Sequence, residues 1–171
     1  MTSDAGTTAN DVVEDTQEGK FLTFILGEED YGLAIRFVTE IIGIQKITPV
    51  PDLPDYVKGV INLRGKVIPV MDVRLRFGMK QRDYDERTCI IVINAKDTTV
   101  GLIVDTVSEV LEIPDAYIEE SQHFRKGRGN QFMRGMGKVG ENVKILLDAE
   151  ALLFRNAAHA RPPENPTPTE A

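Results

Sequence analysis

The run Tyr56-Val57-Lys58-Gly59-Val60-Ile61-Asn62-Leu63-Arg64-Gly65-Lys66-Val67-Ile68-Pro69-Val70-Met71-Asp72 reads as two strands folded about a tight turn. Val and Ile dominate both arms, and the turn falls at Arg64-Gly65, where glycine accepts a positive φ without a Cβ penalty. Arg64 occupies the corner. An arginine there is carried away from the core with five donors to offer a partner, although a turn arginine can equally be only solvated. Pro69 removes a ladder donor, which predicts an edge or bulged strand. Asp72 then reads as the N-cap of a short helix from Val73 to Phe77, stopped by Gly78.

Upstream, Lys20 to Leu26 is apolar on both alternating faces except at Thr23, the pattern of a strand buried on both sides. Gly27 to Asp30 turns the chain, Tyr31 to Ala34 returns, and Ile35 to Val38 bends before a strand near Thr39 to Ile44. The segment Ile47 to Pro54 holds three prolines, so it is an extended, stiff connector. Downstream, Met79 to Glu86 is a charged loop, and Thr88 to Asn94 is a strand by its β-branched density. Thr99 to Asp105 and Val107 to Ile113 follow, then a long loop from Pro114 to Asn130. Met133 to Lys138 and Val143 to Leu147 form a last hairpin, and Asp148 caps a helix ending near Phe154.

The chain repeats itself. Aligned without a gap, Gly32, Leu33, Val38, Glu40 and Ile44 meet Gly101, Leu102, Val107, Glu109 and Ile113. After a longer loop, Gly59, Val67 and Asp72 meet Gly135, Val143 and Asp148. Strand, turn, strand and capped helix recur in the same order. The expectation is an all-β fold with short helices: two five-stranded barrels, near residues 20–84 and 85–155, with strands free to exchange between them. Each is too small to hide its apolar face, so the two should share a hydrophobic layer.

The chain has 171 residues with 42% hydrophobic content, which suits one domain or two small ones around a common core. No run is apolar for the roughly 18 residues a membrane span needs, and the acidic start lacks a signal-peptide pattern. One cysteine, Cys89, agrees with a reducing cytoplasm. The net charge of -7 is concentrated at the ends: residues 1–19 carry five carboxylates and no Lys or Arg, and residues 156–171 are proline-rich and weakly acidic. Both tails read as disordered. The body between them is nearly neutral, which argues against broad nucleic-acid binding.

Chemistry is sparse. The two histidines, His123 and His159, are isolated, and no metal-ligand spacing occurs, so neither metal nor other cofactor is expected. Cys89 lies among Ile and Val, where a thiol is usually packing. The basic, glycine-rich tract Arg125 to Lys138 lacks a phosphate-loop arrangement and precedes a strand, whereas phosphate cradles open helices. It is better read as a basic loop, with an anion- or nucleotide-binding barrel or small enzyme built on it as the rival class. By contrast, Ile35 and Val38 in the first half and Val107 and Val110 in the second are apolar at matching bends. Packed as core they are unremarkable; lining one groove they would accept a helix through its i, i+3, i+4 anchors.

A resemblance adds to this. Val60-Ile61-Asn62-Leu63-Arg64-Gly65, Ile68-Pro69-Val70 and Asp72-Val73-Arg74, with Leu26 to Gly32 and Val100 to Asp105, resemble the CheW-type chemotaxis coupling proteins over residues 20–155. The resemblance implies two SH3-like barrels, no enzymatic activity, no cofactor, and a cytoplasmic adaptor recruited to membrane receptor arrays. Its implied partners are the cytoplasmic helical hairpin of chemoreceptors and the regulatory domain of the histidine kinase CheA, with the adaptor a monomer in isolation. The implied receptor groove comprises Ile35, Val38, Glu40, Arg64, Val107 and Val110, with Glu40 and Arg64 as an ion pair. The implied kinase contacts are Pro49, Val50, Tyr56 and Gly59, with Phe124 touching a second kinase domain. A chain ending without a receiver domain disfavours the related CheV-like organisation.

Overall fold

A computed structural model describes residues 17–120 and 129–155. The expected disordered segments 1–16 and 156–171, both histidines, and Phe124 lie outside them. Residues 17–19 do not: the Gly19 carbonyl accepts the Ile113 N–H at 2.8 Å, so the fold begins before the first strand.

Among the described residues, eleven strands and two short α-helices make the architecture. The first half runs β1 (Lys20–Leu26), β2 (Glu29–Ala34), a 3-10 turn (Ile35–Phe37), β3 (Val38–Gly43), β4 (Val57–Leu63), β5 (Lys66–Asp72) and α1 (Val73–Arg76). The second runs β6 (Cys89–Ala95), β7 (Thr98–Val104), β8 (Thr106–Glu112), β9 (Ile118–Glu120), β10 (Met133–Val139), β11 (Asn142–Leu147) and α2 (Ala149–Phe154). Each helix is capped as its sequence implies: Asp72 accepts from the Leu75 N–H at 3.3 Å, and Asp148 accepts from the Ala151 N–H at 3.1 Å.

Neither sheet comes from one half of the chain. One has the order β3-β6-β7-β5-β4, the other β8-β1-β2-β11-β10-β9. Each half therefore lends its first hairpin to the other. With β9 set aside, the two orders are the same order with the halves interchanged. β9 is the one addition, a short edge strand supplied by the longer loop of the second half, and it makes that sheet six-stranded where five were expected.

The repeat extends to irregularities. β3 against β6 slips register between Val38 and Glu40, and β8 against β1 slips across Leu22 and Phe24, at matching places. β4 slips between Val57 and Gly59, β10 between Met133 and Gly135. Gly32 and Gly101 sit where parallel strands cross: an added Cβ would stand 2.9 Å from Leu146 in one case, and 2.7 Å from Ile90 and 2.9 Å from Val70 in the other. Thr23, the polar exception in β1, is buried at the β1/β8 slip; it donates to the Glu109 carbonyl at 2.8 Å and accepts from the Glu109 N–H at 3.1 Å. The bulge thus leaves no buried polar group unpaired there.

Alternation along the strands builds three layers of core. Ile61, Ile68, Val70, Ile90, Val92 and Ile103 fill one barrel; Phe21, Ala34, Ile113 and Leu146 fill the other. Between them lies the largest cluster, with Leu22, Phe24, Leu33, Ile91, Ile93, Leu102 and Leu152. Hence Ile90 and Ile91 serve different cores, and β1 and β6 are apolar on both faces. Arg76 is buried in this region; its guanidinium lies 4.3 Å from the Tyr56 ring centroid and 4.6 Å from that of Phe132, and donates to the Leu152 carbonyl at 2.8 Å. Burial lowers its pKa from the usual arginine value.

Pro69 is a correction. β5 is an interior strand, flanked by β7 and β4, and not an edge, whereas the bulge offered as the alternative is present in its pairing with β4, where the register shifts between Val57 and Gly59. The proline is tolerated because the ladder to β7 begins only at Val70, one residue later.

Candidate partner-binding surfaces

The decisive hairpin forms around two residues in the left-handed region, Arg64 at φ 52° and Gly65 at φ 85°, the conformation of a two-residue turn between twisted strands. Asn62 Oδ1 accepts the Gly65 N–H at 2.8 Å and holds the loop. Arg64 is 69% exposed, and its Nη2 donates to Glu40 Oε2 on β3. Donating this hydrogen bond to the Glu40 carboxylate raises the Arg64 pKa further above its ordinary value. An exposed pair of this kind is screened by solvent and adds little to stability. Its structural effect is to tie the tip of the β4–β5 hairpin to the strand that borders the second surface.

That surface is made by β3 and β8, the matched strands of the two sheets. Ile35, Val38 and Val107 are half-buried and pack against the edge of the shared core. Val38 pairs with Ile93 and Val107 with Phe24, two residues of that core. Beyond the bulges the strands turn their next apolar side chains outward: Val110 is 51% exposed and Ile41 is 42% exposed. By the repeat, Ile41 is the true counterpart of Val110, whereas Ile35 lies on the 3-10 turn. Sequence reasoning overlooked Ile41, although the gapless alignment through Val38 and Val107 already paired the two positions.

A third patch lies on the proline-rich connector. Pro49 and Val50 are exposed, and so is Leu53 beside them, another residue not singled out from the sequence. Thr48 anchors this connector to β4 by exchanging backbone hydrogen bonds with Val60 at 2.8 and 2.9 Å. Gly59 is buried under that bridge, with φ 145°; a Cβ there would lie 2.1 Å from the Thr48 carbonyl oxygen. Gly59 therefore has no surface to offer a partner, and its part is to seat the connector. Tyr56 is half-buried, with its ring over the Arg76 guanidinium.

Among the described residues, the best-connected carboxylate is one to which the sequence assigned no role. Asp105 accepts from Arg74 Nε and Nη2, each at 2.8 Å, from the Gly27 N–H at 2.8 Å, and is paired with Arg82 Nη1 at 2.9 Å. Burial alone would raise its pKa, but these donors outweigh burial and hold the carboxyl below the usual value. The cluster joins α1, the β1–β2 turn and the loop after α1, which makes it a structural clasp. The rest of the site is chemically quiet. Among the described residues no three His, Cys, Asp or Glu side chains converge, and no helix is long and apolar enough to cross a membrane. Cys89 is half-buried against the shared core.

Comparison with known proteins agrees with this architecture. The model of the CheW-like domain matches residues 20–156. A chemotaxis protein CheW from Klebsiella aerogenes is 38% identical over 146 residues, which is 85% of this chain and 88% of that protein. The CheW of Bacillus subtilis is 30% identical across 85% of this chain and 93% of its own length. The crystal structure of the scaffolding protein CheW from Thermoanaerobacter tengcongensis superposes with a TM-score of 0.75 at 35% identity, covering 81% of this chain and 94% of the other. The chain therefore belongs to the CheW-like proteins, non-enzymatic scaffolds of two SH3-like barrels.

Proposed function

We propose that this chain couples the cytoplasmic helical-hairpin tips of chemoreceptors to a CheA-type histidine kinase, as a chemotaxis adaptor that makes and breaks no covalent bond. The observation that carries the reading is that each of the two matched strands sets a half-buried valine on the shared core and an exposed apolar side chain beyond it, Val38 and Ile41 on β3 and Val107 and Val110 on β8; we take the four to form one apolar strip. An amphipathic helix presents anchors at i, i+3 and i+4 to such a strip. Ile35 extends the strip, and Glu40 with Arg64 borders it. The kinase face is the connector, with Pro49, Val50 and Leu53 as contacts, Tyr56 behind them and Gly59 holding the backbone in position. Phe124 makes a second kinase contact.

Receptor and kinase then occupy separate faces of one rigid body, and the adaptor works as a monomer until both are present. Receptor state changes kinase activity only to the extent that contacts with the adaptor differ between receptor states. The Arg64–Glu40 pair is the direct link between the hairpin and the strip. The adaptor acts in the cytoplasm and reaches the membrane through its receptors. Sedimentation of receptor-bearing vesicles with a CheA-type kinase tests the reading. The chain should appear in the pellet and raise kinase turnover; a chain that stays in the supernatant with kinase turnover unaltered sinks it.

A further inference from the structure

A cleft of about 390 Å³ opens on the barrel that contains β1 and β10, away from the β4–β5 hairpin and the connector. It lies within the size range of small-molecule sites, about 300–1,000 Å³. Three cations line it from three elements: Lys20 at the start of β1, Arg36 on the 3-10 turn and Arg134 on β10. The Arg36 guanidinium lies 4.6 Å from the Phe37 ring centroid and that of Arg134 lies 5.6 Å from the Phe21 centroid. A guanidinium held over a ring face keeps its in-plane N–H edge free for a bidentate oxygen acceptor. Glu18 and Asp115 stand on the same rim, yet among the described residues neither forms an ion pair with these cations.

We infer that this cleft is a binding site for a hydroxyl-bearing phosphate monoester of sugar-phosphate or mononucleotide size. A phosphate monoester carries a charge of about −1.5 to −2 at neutral pH and three acceptor oxygens, which matches a cleft lined by three cations better than one carboxylate does. Glu18 and Asp115 are acceptors only, and suit the hydroxyl donors of the same ligand. Arg134 belongs to the basic tract Arg125 to Lys138, so one residue of that otherwise unassigned motif has a place in the cleft. The scaffold reading does not depend on this site, and the site does not depend on it.

Calorimetric titration of the full chain with ribose 5-phosphate and with AMP provides the test, with ribose and adenosine as uncharged controls. Saturable single-site binding to at least one phosphate ester is expected, with amide shifts at Phe21 and Ala34 and no response to the controls. R36Q and R134Q should each weaken binding by about tenfold or more, the loss of a charge-assisted hydrogen-bond pair. K138Q, an exposed lysine on the same strand as Arg134, should leave binding unchanged. Arg36 sits on an exposed turn, so R36Q tests the site even if R134Q disturbs β10. Absence of saturable binding at millimolar ligand, or binding that R36Q and R134Q both leave intact, overturns the assignment.

Discussion

Arg64 and Asp105 carry opposite kinds of ion pair, and their variants should separate accordingly. Arg64 is exposed, so R64A should keep the wild-type circular dichroism spectrum and unfold at nearly the wild-type temperature. In a reconstituted array the same variant should lose receptor-dependent control of the kinase. Wild-type control by R64A would remove the hairpin tip from the mechanism. Asp105 is held by Arg74, Arg82 and the Gly27 N–H, so D105N leaves the half-buried Arg74 guanidinium without its counter-charge and should cost about 1–3 kcal/mol, with the exposed Arg82 contributing little. The pH dependence has a defined sign. The folded-state pKa is depressed, so the unfolded chain binds the proton more tightly; the stabilisation is full well above the unfolded value of about 3.9 and is lost as pH falls through the folded value. Urea midpoints of wild type and D105N should therefore converge below about pH 4. A constant difference down to pH 2 would contradict the clasp.

At the scale of elements, β3 and β8 gain their role from a bulge. Before the slip, Val38 and Val107 face the shared core; after it, Ile41 and Val110 face solvent. A charge at the outer pair should then affect binding and not folding. I41D combined with V110D is expected to weaken capture of a receptor-tip helical hairpin by at least tenfold, about 1.4 kcal/mol, with thermal unfolding within a few degrees of wild type. V38D, whose side chain packs on the core, should lower stability as well. Full receptor binding by the I41D/V110D protein would mean that the strip is not the receptor surface. Much of this was legible beforehand: the bend from Ile35 to Val38, a strand starting near Thr39, one residue later than observed, and the matching of Val38 with Val107. The outward turn of Ile41 was not, because a bulge changes the face of every later residue without leaving a distinctive residue type.

For the molecule as a whole, the exchange of hairpins sets how it folds. Residues 20–84 contain β1 to β5, yet β3, β4 and β5 complete their sheet only with β6 and β7. A fragment of residues 20–84 should therefore be unfolded alone, with no protected amides in β4 and β5. A fragment with native-like dispersion would show that the first half closes on itself. The shared layer makes the same point energetically, since Leu22, Phe24 and Leu33 from one half pack with Ile91, Ile93 and Leu102 from the other. Neither set is buried until both halves are present.

Local chemistry was written in the chain itself: the Arg64-Gly65 turn, the Asp72 and Asp148 caps, the strands apolar on both faces and the internal repeat all follow from residue type and spacing. These are short-range preferences, settled by φ limits, capping donors and alternation. Which strands pair across the repeat, that Pro69 lies inside a sheet, that β9 adds an edge, and that Asp105 gathers Arg74, Arg82 and Gly27 were decided only by the tertiary structure. Both halves offer near-equivalent hairpins, so one-dimensional pattern cannot choose between pairing within a half and pairing across halves. Burial of the common core chooses.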